Sequence, residues 1–253
     1  MKILFIGDSL TVGRPGASYF DILGQKLPGH TLVRYARGGD SVIDAYRRVS
    51  SLKFVDSFDL AFLWIGVNDV FVKLAPTFPL IRKVRRQRWA GDVGEFAGYY
   101  RATLDILCSQ SRQVRTVSPL FLGEDMANRW HRQLDELASV IQALSREYAN
   151  VAYLDLRSVF RAELTSTPDG QSVGYLPTSA IRIGLDVLLL RSPAQIDRVA
   201  RERCLQFTLD GAHLNSRGAA IVAGLFAAAV ERVVGSGREC SVVKRTGYTE
   251  ESG

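Results

Sequence analysis

Four short stretches of the chain hold residue types that could do chemistry together. Gly7-Asp8-Ser9-Leu10 places a serine just after the apolar run Lys2-Ile3-Leu4-Phe5-Ile6. Asp210-Gly211-Ala212-His213 puts a carboxylate three residues ahead of an imidazole, close enough for one short loop to aim both at one point. Histidine titrates near neutral pH and is the natural general base. A carboxylate behind it fixes its tautomer and stabilises the imidazolium that forms. Ser9 as nucleophile, His213 as base and Asp210 as orienter therefore supply the parts of a serine hydrolase, in the chain order Ser, Asp, His. Such chemistry also needs donors for a developing oxyanion. Arg37-Gly38-Gly39-Asp40-Ser41 and Gly66-Val67-Asn68-Asp69 offer them: the Gly39 N–H and the Asn68 side-chain amide, beside the Ser9 N–H. Each residue alone has a plainer reading, Gly39 as a turn residue, Asn68 as a cap, His213 as one of three histidines. The combination is what carries weight, because neither His30 nor His131 has a motif around it.

These residues need elements that bring them together. Lys2–Ile6, Thr31–Tyr35, Leu60–Ile65, Val114–Pro119 and Val151–Leu156 read as strands. Leu60-Ala61-Phe62-Leu63-Trp64-Ile65 is apolar throughout, as a strand covered on both faces should be. Helical spacing marks Ala17–Leu27, Val42–Leu52, Val93–Cys108, a long helix from an Asn128 cap through Tyr148, Ala194–Cys204 and a last helix of about Ser216–Val234. Trp130 fits the buried face of its helix and so reads as core. Asp155 reads as a cap for the helix that follows it. Alternation of strand and helix predicts a parallel sheet with right-handed crossovers, whose loops converge on one edge. Ligands bind at the carboxyl ends of strands in such sheets.

Composition narrows the classes. The chain has 253 residues, 47% hydrophobic and 23% charged, with a net charge of +6. That suits one large domain, here 1–234, with 158–207 as an inserted segment that helps build the pocket and 235–253 as a mobile tail. Within the insertion, Thr165–Gly174 is turn-rich around Pro168-Asp169-Gly170. Cys108, Cys204 and Cys240 form neither a disulfide framework nor a zinc pattern, which points to a reducing, cytoplasmic setting. No signal peptide precedes the first strand, and no apolar run reaches the length of a membrane span. Residues 71–91 are irregular, broken by Pro76 and Pro79. Five of the eight residues from Arg82 to Trp89 are cationic. A solvated face is the plainer reading of that stretch; an anion-binding or nucleic-acid-binding module that ignores Ser9 is the competing one. The first loop lacks the G-x-G-x-x-G spacing and lysine of nucleotide cradles.

Gly7-Asp8-Ser9-Leu10, Gly39, Gly66-Val67-Asn68-Asp69 and Asp210-Gly211-Ala212-His213 resemble, in order, the four sequence blocks of the SGNH hydrolases, the GDSL esterase/lipase superfamily. The resemblance spans residues 2 to about 234. It implies a three-layer, flavodoxin-like α/β fold with a five-stranded parallel sheet of order 2-1-3-4-5. It also implies Ser9, Asp210 and His213 as the catalytic residues and Ser9, Gly39 and Asn68 as the oxyanion hole. The second block matches loosely, and the adjacent Gly38 stays open as an alternative to Gly39. The expected reaction is cleavage of a small carboxylic ester, of short acyl groups such as acetyl, through an acyl-enzyme on Ser9. No metal or organic cofactor is needed, and no nucleic-acid partner is expected. An acyltransferase would use the same triad.

Overall fold

The computed structural model of the chain describes residues 1–53, 57–165 and 175–245, with the backbone alone for Thr165 and for 236–245. The first apolar run forms β1 (Lys2–Gly7), followed by a helical turn, α1 (Ser9–Val12), and α2 (Tyr19–Lys26). β2 (Thr31–Ala36) leads into α3 (Val42–Ser50), and β3 (Phe58–Trp64) into a second helical turn, α4 (Val67–Phe71), and α5 (Thr77–Val84). α6 (Val93–Gln110), β4 (Ser111–Val117), α7 (Arg129–Ser145) and β5 (Val151–Leu154) complete the alternation. Four helices follow: α8 (Leu156–Thr165), α9 (Ala180–Leu189), α10 (Pro193–Glu202) and α11 (Ser216–Arg245).

The strands make one parallel sheet of order β2-β1-β3-β4-β5, as the alternation and the resemblance led us to expect. From β1 the chain steps outward to β2, then reverses and proceeds through β3 to β5. Right-handed crossovers then place α2 on one face and α3, α6 and α7 on the other. α11 returns to pack beside α2. β1 and β3 are buried on both sides, which is why they read as continuous apolar runs. Phe5 stacks on Phe62 at 5.0 Å and Phe62 on Phe226 of α11 at 4.7 Å, which fixes α11 over the middle of the sheet. The reversal lies between β1 and β3. It opens a crevice at their carboxyl ends, where Ser9 and Asn68 begin their helical turns.

Several expectations need correction. Residues 71–91 are not irregular throughout, since 77–84 form α5. Pro79 is tolerated because it is the third helical residue, where the missing N–H would have had no partner in the helix. The inserted span holds α8 and α9 besides α10, whose capping box of Ser192 and Gln195, with Pro193 at its first position, is complete. The last helix does not stop near Val234. Gly235 lies inside α11, which runs on to Arg245, because one interior glycine costs only about 1 kcal/mol and the residues after it accept helical geometry. The backbone of 236–245 is thus helical. The remainder of the tail, like the Pro168-Asp169-Gly170 turn, lies outside the described residues. Ser216–Gly235 is apolar and long enough to cross a membrane by length and composition, with mean hydropathy 1.6. Its Ala219, Val222, Ala223, Phe226 and Val230 are nonetheless buried in the protein core.

Candidate active site

The turn from β1 into α1 is possible only with glycine at position 7, since a Cβ there would lie 2.0 Å from the Thr11 hydroxyl. Asp8 caps the turn, its Oδ1 accepting the Leu10 N–H at 2.9 Å. Ser9 is thereby held as the first helical residue, facing the crevice. Its Oγ lies 3.1 Å from Nε2 of His213, 204 positions away. Nδ1 of His213 lies 2.8 Å from Oδ2 of Asp210. The other oxygen of Asp210 accepts the N–H groups of Ala212 and His213, at 3.0 and 2.8 Å. With the Nδ1 proton directed at the carboxylate, Nε2 is left to accept from the Ser9 hydroxyl. All three side chains are buried.

The loop that carries Asp210 and His213 is pinned from below by Glu124. Its carboxylate accepts the N–H groups of Gln206, Phe207 and Thr208 and the Thr208 hydroxyl, all between 2.6 and 2.9 Å. Gly211 has φ +83°, and a Cβ there would lie 2.7 Å from the Tyr175 carbonyl. Asn215 caps α11, as its place before Ser216 suggested, by accepting the Gly218 N–H at 3.0 Å.

The second loop is a tight turn closed by Asp40 N–H on the Arg37 carbonyl at 3.2 Å, with Gly39 at φ +81°. Only Gly39, not Gly38, has the left-handed backbone. Gly38 also stays close, since a Cβ on it would sit 3.9 Å from the Ser9 Cβ. Asp40 is buried and receives Arg48 Nε at 2.7 Å, while the same guanidinium donates to the carbonyls of Tyr35 and Gly7. One arginine thus ties the Gly39 loop to the end of β1.

Asn68 is held at both ends of its amide. Nδ2 donates to Asp8 Oδ2 at 2.9 Å, and Oδ1 accepts from Arg82 Nη2 at 3.2 Å. An arginine can only donate, so it fixes which end of the amide is oxygen and leaves the second N–H of Nδ2 for another acceptor. Arg82 is the first residue of the basic stretch. α5 turns it inward, while Lys83, Arg85, Arg86 and Arg88 remain exposed. Asp69 accepts the Val42 and Ala90 N–H groups, each at 3.0 Å, and so joins this loop to α3 and to the segment after α5.

Burial sets the charges here. Desolvation lifts the Asp8 carboxyl to about 7 against the opposing Leu10 hydrogen bond, and lifts Asp69 to about 6. Burial alone would lower His213, but the charge and hydrogen bond of Asp210 outweigh it and hold the imidazole above its ordinary value. Burial would raise Asp210, and the His213 charge with three hydrogen bonds overcomes it to keep the carboxyl low.

Every site residue read from the sequence therefore lies in this crevice or on a loop that borders it. Trp130 is buried in the core, and Asp155 caps α8 by accepting the Ser158 N–H at 3.1 Å. His131 is buried against the Gly123 carbonyl and bonds none of Ser9, Asp210 and His213. The supports Arg48, Arg82 and Glu124 were not anticipated. Arg82 carried a signal only as part of a charge run, and Glu124 carried none.

The model of the GDSL-like lipase/acylhydrolase family matches residues 5–221. The chain belongs to that family. Membership makes it a carboxylic ester hydrolase by class, and the GDSL-like fold is also that of its solved neighbours. The acetyl xylan esterase AlAXEase matches with a TM-score of 0.63 at 23% identity, over 91% of this chain and 100% of that one. Axe2, an acetylxylan esterase from Geobacillus stearothermophilus, gives 0.61 at 18% identity, over 89% and 91%. LAE5, an alpha/beta hydrolase enzyme from the metagenome of Lake Arreo, Spain, gives 0.63 at 18%, over 92% and 95%. No match is found among curated proteins.

Proposed function

We propose that this GDSL-like hydrolase cleaves esters of short acyl groups, acetyl above all, through an acyl-enzyme on Ser9. The observation that carries the reading is the unbroken path from Ser9 Oγ to His213 Nε2 at 3.1 Å and from His213 Nδ1 to Asp210 at 2.8 Å. Ser9 attacks the ester carbonyl as His213 takes its proton, and the imidazolium is stabilised by Asp210. The tetrahedral oxyanion is received by the N–H groups of Ser9 and Gly39 and by the Asn68 amide, which Asp8 and Arg82 hold in register. The alcohol leaves with the proton from His213. Water, deprotonated by the same imidazole, then attacks the acyl-enzyme and releases the acid and Ser9.

A small acyl group suits the surroundings. The loops that border Ser9 are built of small and polar residues, Asp8, Gly38, Gly39, Asp40 and Asn68, which give a long alkyl chain little to pack against. Two of the solved neighbours are named as acetylxylan esterases, which favours acetyl among short acyl groups. The test is kcat/KM along a series of aryl acetate, butyrate and octanoate, with acetylated xylo-oligosaccharide beside them. The expected order falls with chain length; a rate that climbs towards octanoate contradicts the proposal.

Two further results are expected. Asn68→Ala lowers kcat by about 100- to 1000-fold with a smaller effect on KM, because the lost donor is used chiefly in the transition state. A comparable rise in KM at unchanged kcat would assign Asn68 to uniform binding of substrate and transition state instead. Activity requires neutral His213, whose pKa is held above the ordinary ~6.5. Rates therefore fall as pH drops through a midpoint above ~6.5, and a kcat/KM profile flat down to pH ~5 would contradict the assignment.

A further inference from the structure

α9 is inside out. In a helix that covers a core, the apolar residues face inward and the charges face water. Here the sequence Ala180-Ile181-Arg182-Ile183-Gly184-Leu185-Asp186-Val187-Leu188-Leu189 buries its one acid and exposes its large aliphatic side chains. Ile181 is 78% exposed, Leu185 49%, Leu188 60% and Leu189 60%. At 3.6 residues per turn these four positions fall within about 100° of one another, so they form one stripe. Asp186 lies on the other side, gripped by both terminal nitrogens of Arg203 at 2.8 and 3.0 Å. Arg203 also donates to the Leu209 carbonyl, next to Asp210, at 3.0 Å. The helix is thus held with its aliphatic stripe outward by an ion pair to the end of α10, whose arginine also reaches the active-site loop.

We infer that α9 docks the protein onto an anionic lipid surface. A contiguous exposed aliphatic stripe marks an interaction face. A helix whose outward side is Ile and Leu, bordered by Arg, matches the requirement of an interface between headgroups and acyl chains. The exposed charges of α9 and of the residue pair after it are Arg182 and Arg191, and neither forms an ion pair among the described residues. An anionic surface complements them. α5, tied to the site through Arg82 and Asn68, repeats the combination. Leu80 and Val84 are 65% and 78% exposed, beside exposed Lys83, Arg85 and Arg86. Docking through α9 goes beyond the esterase reading and does not depend on it.

The test is co-sedimentation of the full chain with vesicles of phosphatidylglycerol and, separately, of phosphatidylcholine, at low and high salt. The wild type is expected to pellet with phosphatidylglycerol at low salt, and to pellet less at high salt and with phosphatidylcholine. Leu185→Ser/Leu188→Ser should weaken that binding by about tenfold or more while its thermal melt and its turnover of a water-soluble ester stay those of the wild type. Failure of the wild type to bind phosphatidylglycerol overturns the inference, as does binding that the double substitution leaves unchanged. A wild-type dimer in light scattering that the same substitution dissociates, without vesicle binding, also overturns it and assigns the stripe to a second copy.

Discussion

Ser9→Ala lowers kcat towards a simple acetate ester by about 10,000- to 1,000,000-fold and leaves the fold in place. The loss is large because the proposed mechanism carries the acyl group on Ser9, and what remains is whatever the oxyanion donors do for direct attack by water. The fold survives because Ser9 Oγ bonds only to His213 Nε2 among the described residues, and alanine is a good helix former at the start of α1. The melting temperature is expected within about 3 °C of the wild type. Steady-state kinetics and a thermal melt on one preparation check both halves. Turnover within about tenfold of the wild type would remove Ser9 from the mechanism.

Asp210→Asn is expected to cost about 10,000-fold in kcat, for a reason that can be read from its two oxygens. Oδ1 must remain an acceptor for the N–H groups of Ala212 and His213. In the variant the amide therefore turns its NH2 towards His213 Nδ1, which has to accept. The ring proton moves to Nε2, and the imidazole then presents a donor to Ser9 where the reaction needs a base. The same change removes the charge that holds the His213 pKa up, so the residual activity should show its acid limb at lower pH than the wild type. Both effects come from one rate-against-pH measurement on each protein. A variant that keeps a tenth of the wild-type rate with an unmoved acid limb would show that Asp210 does not set the tautomer.

The sheet could be read from the sequence because β1 and β3 are buried on both faces and so announce themselves as unbroken apolar runs. The approach of Ser9, His213 and Asp210 to one another could be read because Asp210 and His213 share one loop and Ser9 follows the first strand directly. The supports could not, because their work depends on contacts between distant segments. Glu124 meets the backbone of 206–208, more than 80 positions away, and nothing around it in the sequence marks that role. Arg82 looked like one of five cations in a solvated run until α5 turned it towards Asn68. α9 escaped for a related reason. Its apolar run broken by Asp186 is too short for a membrane span, and its aliphatic face is outward, so the usual inference from apolarity to core gives the wrong side. Gly235 resembles a helix stop in the sequence, but a stop of that kind needs a left-handed residue there, and α11 continues through it.

The most direct test of the account is the mass of the intact protein after exposure to a fluorophosphonate, followed by mapping of the labelled peptide. The account predicts one adduct per chain, on Ser9, formed only when His213 is neutral. An adduct on another residue of protein that is hydrolysing an ester, with Ser9 unmodified, would contradict it.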